Sequence, residues 1–225
     1  MGVFVSYHLP SNQIMIEKLL RFFNLKNKGP MAEPVDPDMK YLIAGLGNIG
    51  NEYAHTRHNI GFDILDELAR NEGLTFDDQR FGAVAEYKHK GRIFILLKPN
   101  TYVNLSGKAV SYWLQKEKVN PENLLVIVDD LALPFGTLRV KSKGSDAGHN
   151  GLKNIQAVLG HNQFARLRFG IDSNFTRGHQ VDYVLGQWNA EEKAALPERL
   201  DKAIEIIKSF GTLGTHQTMN LYNNK

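Results

Sequence analysis

Hydrophobic and polar positions follow two periods along this chain. Short apolar runs at Tyr41 to Gly45, Arg92 to Leu97 and Leu124 to Val128, with extended patterns at Thr137 to Lys143 and Arg166 to Ile171, predict strands. Between them, helical spacing over Ile60 to Arg70, Val110 to Lys118 and Leu152 to Leu159 predicts helices. Asn189-Ala-Glu-Glu192 has the form of a capping box, opening a last helix that turns Ala194, Leu200, Ala203, Ile204 and Ile207 toward the core. Strands interleaved with helices predict a single α/β domain with a mixed, mostly parallel sheet flanked by helices.

The first 38 residues read differently. Asn12 to Leu25 carries a short amphipathic helical pattern, and the Pro-rich Gly29 to Asp38 reads as a linker, so residues 1–38 are expected to be an appendage to a domain at 39–225. Met1-Gly2-Val3-Phe4-Val5-Ser6 fits the loose pattern for N-myristoylation, but the basic flank that would reinforce one acyl chain is thin. No apolar run exceeds about five residues, far short of the ~18 that span a bilayer, so no membrane partner is expected. Cysteine is absent, which removes thiolate chemistry and fits a cytoplasmic, reducing setting. The net charge of +3 permits an anionic partner without identifying one.

Gly45-Leu46-Gly47-Asn48-Ile49-Gly50 satisfies a dinucleotide-binding pattern after a strand. That pattern needs the glycines to open a helix directly, and the polar stretch from Asn51 to Asn59 intervenes, so the glycines read as a turn presenting Asn48; a dinucleotide enzyme is the minor alternative. His55 and His58 lie three apart, yet no metal-ligand motif accompanies them, and neither a metal nor another cofactor is expected. Asp129 follows one strand, Asn104 the loop after another, and Asn150 a third loop just before a helix. Ligands in α/β sheets bind beyond the carboxyl ends of strands, so these loops are plausible neighbours of His58. A histidine held by an aspartate can deprotonate water near neutral pH, while asparagine amides can donate to a carbonyl oxygen that gains charge. With no GxSxG elbow in the chain, water is the expected nucleophile. Arg139, Lys141 and Lys143 alternate and so share one strand face: a solvated surface or, beside the glycine-rich Gly144 to Gly151 loop, a row for phosphates.

Four motifs in order, Gly45 to Gly61, Lys98 to Val110, Val128 to Lys141 and Gly148 to Ile155, resemble those of bacterial-type peptidyl-tRNA hydrolases. The resemblance implies a monomeric, phosphorylase/hydrolase-like α/β enzyme that cleaves the ester joining peptide to tRNA without a metal. It implies His58 as catalytic histidine with Asp129 as its paired acid. Asn48, Tyr53, Tyr102, Asn104 and Asn150 become substrate-binding positions, and Arg139, Lys141 and Arg168 phosphate-binding ones. Ile49, Val103 and Ala132 depart from the family pattern, as does the segment from Phe169 to Asn174, touching the peptide pocket and its lid but not the His, Asp or Asn residues. A module that holds tRNA acceptor stems without cleaving them is the competing class.

Overall fold

A computed structural model describes residues 1–2 and 39–223; the helix expected over 12–25 and the linker after it lie outside the described residues. The elements run β1 (Lys40–Gly45), α1 (Ile60–Glu72), β2 (Asp77–Gln79), β3 (Gly82–His89), β4 (Arg92–Pro99), α2 (Ser106–Glu117), β5 (Leu124–Asp130), β6 (Leu138–Lys141), α3 (Asn150–Leu159), β7 (Ala165–Gly170), α4 (Gln180–Val184) and α5 (Ala190–Tyr222). They build a seven-stranded sheet in the order β2-β3-β4-β1-β5-β7-β6. β4, β1, β5 and β7 are parallel to one another, and antiparallel pairs finish both edges.

The apolar runs are explained by where they sit. All of β5 is buried, because helices cover both faces of the parallel centre and leave no wet side to alternate with. Side chains leave a strand on opposite faces in turn, so Ile43, Leu125 and Ile127 join one core with α1 and α5. Leu42, Ala44, Val126 and Val128 join the other, with residues of α2 and α3. The capping box at Asn189 is present: its Oδ1 accepts the Glu192 N–H at 2.8 Å, and the Asn189 N–H donates to Glu192 Oε2 at 2.8 Å. No helix among the described residues is long and apolar enough to cross a membrane.

The helix expected from Val110 begins at Ser106, β2 and α4 were not expected, and two further details differ from the sequence reading. β3 and β4 form a hairpin through Lys90 and Gly91, both at positive φ, a turn whose twist suits paired strands. β6 ends at Lys141, so Lys143 falls outside the row with Arg139 and Lys141. The reason lies beneath the loop: the buried Arg166 guanidinium donates to the carbonyls of Gly144 and Ser145 at 2.9 and 3.0 Å and draws the chain away from the sheet.

The glycines after β1 serve packing. A β-carbon on Gly45 would lie 2.2 Å from the Gly61 carbonyl oxygen, so β1 and the first turn of α1 touch backbone to backbone. α1 starts only at Ile60, after short 3-10 turns at Asn51–Tyr53 and Arg57–Asn59, and is not the helix that a dinucleotide fingerprint requires.

Candidate active site

The parallel strands all end on one edge of the sheet, and the chain leaves β1 for β4 on one side and β5 on the other. Such a switch point opens a crevice at the strands' carboxyl ends. His58, on the second 3-10 turn, and Asp129, near the end of β5, meet there. His58 Nδ1 lies 2.8 Å from Asp129 Oδ1. A second histidine, His149, reaches the same oxygen with Nε2 at 3.0 Å.

The two rings are not equivalent. His149 is the N-cap of α3, and its Nδ1 accepts the Leu152 N–H at 3.3 Å, so its proton sits on Nε2 and points at Asp129. His58 donates Nδ1–H to the carboxylate, which leaves Nε2 with a lone pair and no partner among the described residues. Only His58 has a free basic nitrogen. Burial of Asp129 favours its neutral form, but both imidazoles oppose this and hold its carboxyl well below the usual range. Burial likewise works against a charged His58, and the charge and hydrogen bond of Asp129 outweigh it, raising the imidazole above 6.5. The cleft is a cavity of about 180 Å³ whose wall also includes Asp146, Asn150, Gln180 and Val181.

Arg57 holds this histidine in place. Its backbone N–H donates to Gly186 O, and its guanidinium donates to Gln187 O at 2.8 Å and Glu192 Oε2 at 2.7 Å while stacking on the Tyr183 ring. Glu192 therefore caps α5 and pairs Arg57 at once. Arg57→Lys keeps the charge but loses the planar fork, and should lower unfolding free energy by about 1–2 kcal/mol, read from urea midpoints. An unchanged midpoint would show that the fork contributes nothing.

The asparagines divide between holding the site and lining it. Asn59, the N-cap of α1, exchanges two hydrogen bonds with the Asn48 backbone, at 2.8 and 2.9 Å. The Asn48 side chain then accepts Val103 N–H at 2.9 Å, tying the loop after β1 to the loop after β4. Asn104 follows Val103 and is exposed, and Asn150, at the first position of α3, is exposed on the cavity wall. Gly151 keeps α3 close, since a β-carbon there would stand 2.6 Å from Leu46 and 2.7 Å from Val103. The Tyr53 and Tyr102 rings meet edge to face at 6.4 Å, with Tyr102 53% exposed.

Of the basic residues, Arg139 and Lys141 are exposed on one face of β6. Arg168 lies directly across from Arg139, but its Nε is paired with Asp130 Oδ2 and its side chain is largely buried. Its charge is partnered inside the protein, where the family resemblance implies a phosphate-binding role beside Arg139 and Lys141. Asp129 and Asp130 thus serve opposite faces of β5, one facing the histidines and the other Arg168.

The trio His58, Asp129 and His149 is the one metal-type cluster among the described residues, its ligand atoms within 4.8 Å of one another. Each of those atoms is already used: both ring nitrogens facing Asp129 carry hydrogens bonded to it, and a cation would have to displace both. His55 does not join the trio, because its Nδ1 bonds Asp63 at 3.0 Å instead. Sequence reasoning missed His149, which stands beside Asn150 in the Gly148 to Gly151 segment and was legible only as part of a loop.

A family model described as peptidyl-tRNA hydrolase matches residues 42–225. The peptidyl-tRNA hydrolase of Phocaeicola vulgatus is 61% identical over 187 residues, 83% of this chain and 100% of that protein. That of Cytophaga hutchinsonii is 56% identical over 187 residues, again 83% and 100%. The crystal structure of peptidyl-tRNA hydrolase from Acinetobacter baumannii superposes with a TM-score of 0.77 at 33% identity, covering 83% of this chain and 96% of that one. On this evidence the chain belongs to the peptidyl-tRNA hydrolase family.

Proposed function

We propose that this chain hydrolyses the ester between the peptide and the terminal ribose of peptidyl-tRNA, as a cytoplasmic monomer and without a metal, with water as nucleophile and His58 as general base. The observation that carries the reading is the unpartnered Nε2 of a His58 whose Nδ1 is held by Asp129. Nε2 takes a proton from water as the oxygen attacks the ester carbonyl. The tetrahedral oxyanion collapses, the ribose oxygen leaves, and the imidazolium returns the proton to it, giving free peptide acid and tRNA.

Asn150 supports this step from the start of α3, where its amide and the helix N-terminal N–H groups can donate to the oxyanion. Asn48 spends its oxygen on Val103 N–H, which leaves its amide hydrogens for a peptide carbonyl, and Asn104 lies one residue beyond. Tyr53 and Tyr102 add an aromatic wall for the peptide. Release of deacylated tRNA from a purified peptidyl-tRNA tests the reading against a module that only binds. Binding without release would overturn it.

Arg139 and Lys141 contact phosphates of the acceptor arm, with Arg168 behind them on Asp130. Each lost contact should flatten the slope of log affinity against log salt by roughly 0.7–0.9. Lys141→Ala should thus weaken full-length substrate at low salt and leave a minimal peptidyl-adenosine unaffected, because that fragment lacks the distant phosphates. Equal losses on both substrates would place Lys141 at the ester and contradict the separation.

A further inference from the structure

On the far side of the 48–59 turn lies a larger cavity, of about 670 Å³, that the hydrolytic step does not use. Its wall runs from Asn48 and Asn59 to His55, Asp63, Asp66, Asp78 and Lys98. Asn59 and Asp63 are four residues apart on α1 and share a face, so Asp63 lies about 6 Å along the helix from the residue that latches Asn48. The cavity and the His58 cleft therefore flank one turn.

Asp63 is an unusual residue to find there. Its side chain is only 9% exposed, and its Oδ2 is buried with no hydrogen-bond partner among the described residues. A buried, half-satisfied carboxylate is costly unless something else completes it. Its single hydrogen-bond partner among the described residues is His55, whose ring is 78% exposed and whose backbone sits in the left-handed region at φ 58°. That ring is held by little besides the Asp63 contact and can be displaced. Burial pushes the Asp63 carboxyl up to about 6, with His55 and Lys98 opposing the rise and Asp66 adding to it. Three carboxylates line this wall against one ammonium, and Asp66 already occupies Lys98 in an ion pair. The unmet demand in the cavity is for positive charge.

We propose that this cavity is a peptide subsite that takes a cationic group of the substrate, an ammonium or guanidinium that displaces the His55 ring and completes the Asp63 carboxylate. The inference rests on the proposed peptidyl-tRNA hydrolysis, since it assigns the cavity to the peptide that enters beside Asn48. Two sources share the chemistry: a lysine or arginine side chain, and the free α-ammonium of the peptide.

Steady-state kinetics on dipeptidyl-tRNAs separate them. N-acetyl-Lys-Ala-tRNA is compared with N-acetyl-norleucyl-Ala-tRNA, which has no side-chain charge, and with norleucyl-Ala-tRNA, which carries only the α-ammonium. One of the two charged substrates should show a KM about tenfold or more below the neutral one, the effect of one charge-assisted hydrogen bond, and which one does identifies the source. Asp63→Asn should bring that ratio to about one, and His55→Ala, which frees Oδ1, should widen it. The ratio is taken within each variant, so a general loss of activity does not mimic the result. Equal KM values for all three substrates in the unaltered protein would overturn the subsite, as would a ratio that survives Asp63→Asn or is unmoved by His55→Ala. Failure of the unaltered protein to hydrolyse even the neutral substrate would instead overturn the hydrolase reading.

Discussion

His58→Ala should lower kcat on peptidyl-tRNA by about 100- to 10,000-fold with the fold intact. The size follows from what the ring supplies: without it, water must attack unassisted, and the leaving ribose oxygen has no acid to protonate it. His149 cannot substitute. Its Nδ1 is committed to the Leu152 N–H and its Nε2–H to Asp129, so it offers no lone pair to the cleft. The same geometry protects the variant from collapse, because Asp129 keeps the His149 bond and is not left bare. Single-turnover hydrolysis, with a urea midpoint to confirm folding, checks the prediction. Near-normal turnover by a folded His58→Ala protein would remove the general base from the mechanism.

What the sequence could show depended on whether a residue's partner was fixed by its own element. The buried run of β5 and the periodicity of α1 follow from local pattern, and both elements are where the pattern places them. His58 and Asp129 could be brought together because one closes a strand and the other precedes a helix, and strand ends in such sheets converge. β3 escaped because the hairpin signal is a single Lys90-Gly91 pair, and half its residues are buried against β4, not alternating cleanly. Arg168 shows a further limit. Its place across from Arg139 makes it part of a basic row, whereas its charge is settled by Asp130 on the neighbouring strand, a pairing that only the register of β5 and β7 reveals. Arg57 and Asp63 went unremarked for the same reason, and Glu192 was legible only as part of its capping box: Arg57 and Glu192 meet across 135 residues, and Asp63 meets His55, eight residues earlier, outside the helix and in the left-handed region.

Asp129→Asn should cost about 1,000- to 10,000-fold in kcat and shift the pH dependence in a fixed direction. The loss arises because a neutral amide does not stabilise the imidazolium that forms, and its NH2, turned toward His58, donates to Nδ1 and moves the ring proton to the nitrogen that must stay free. The direction follows from the forces on His58. Burial lowers its proton affinity and the Asp129 charge raises it to a net value above 6.5, so the acidic limb of kcat/KM lies above pH 6.5 in the unaltered protein. Removing the charge leaves burial in command, and the limb of the residual activity should fall below pH 6.5. Stability should change with it. The lowered Asp129 contributes stability present above pH 3.8 and lost as pH falls through its folded value. The raised His58 contributes stability complete below pH 6.5 and lost as pH rises through its folded value. Both are present between about pH 4 and 6.5, so denaturant midpoints measured across pH 4 to 9 should show the largest deficit of Asp129→Asn in that window. An acidic limb that stays in place, with a deficit independent of pH, would mean that Asp129 positions the ring without setting its charge.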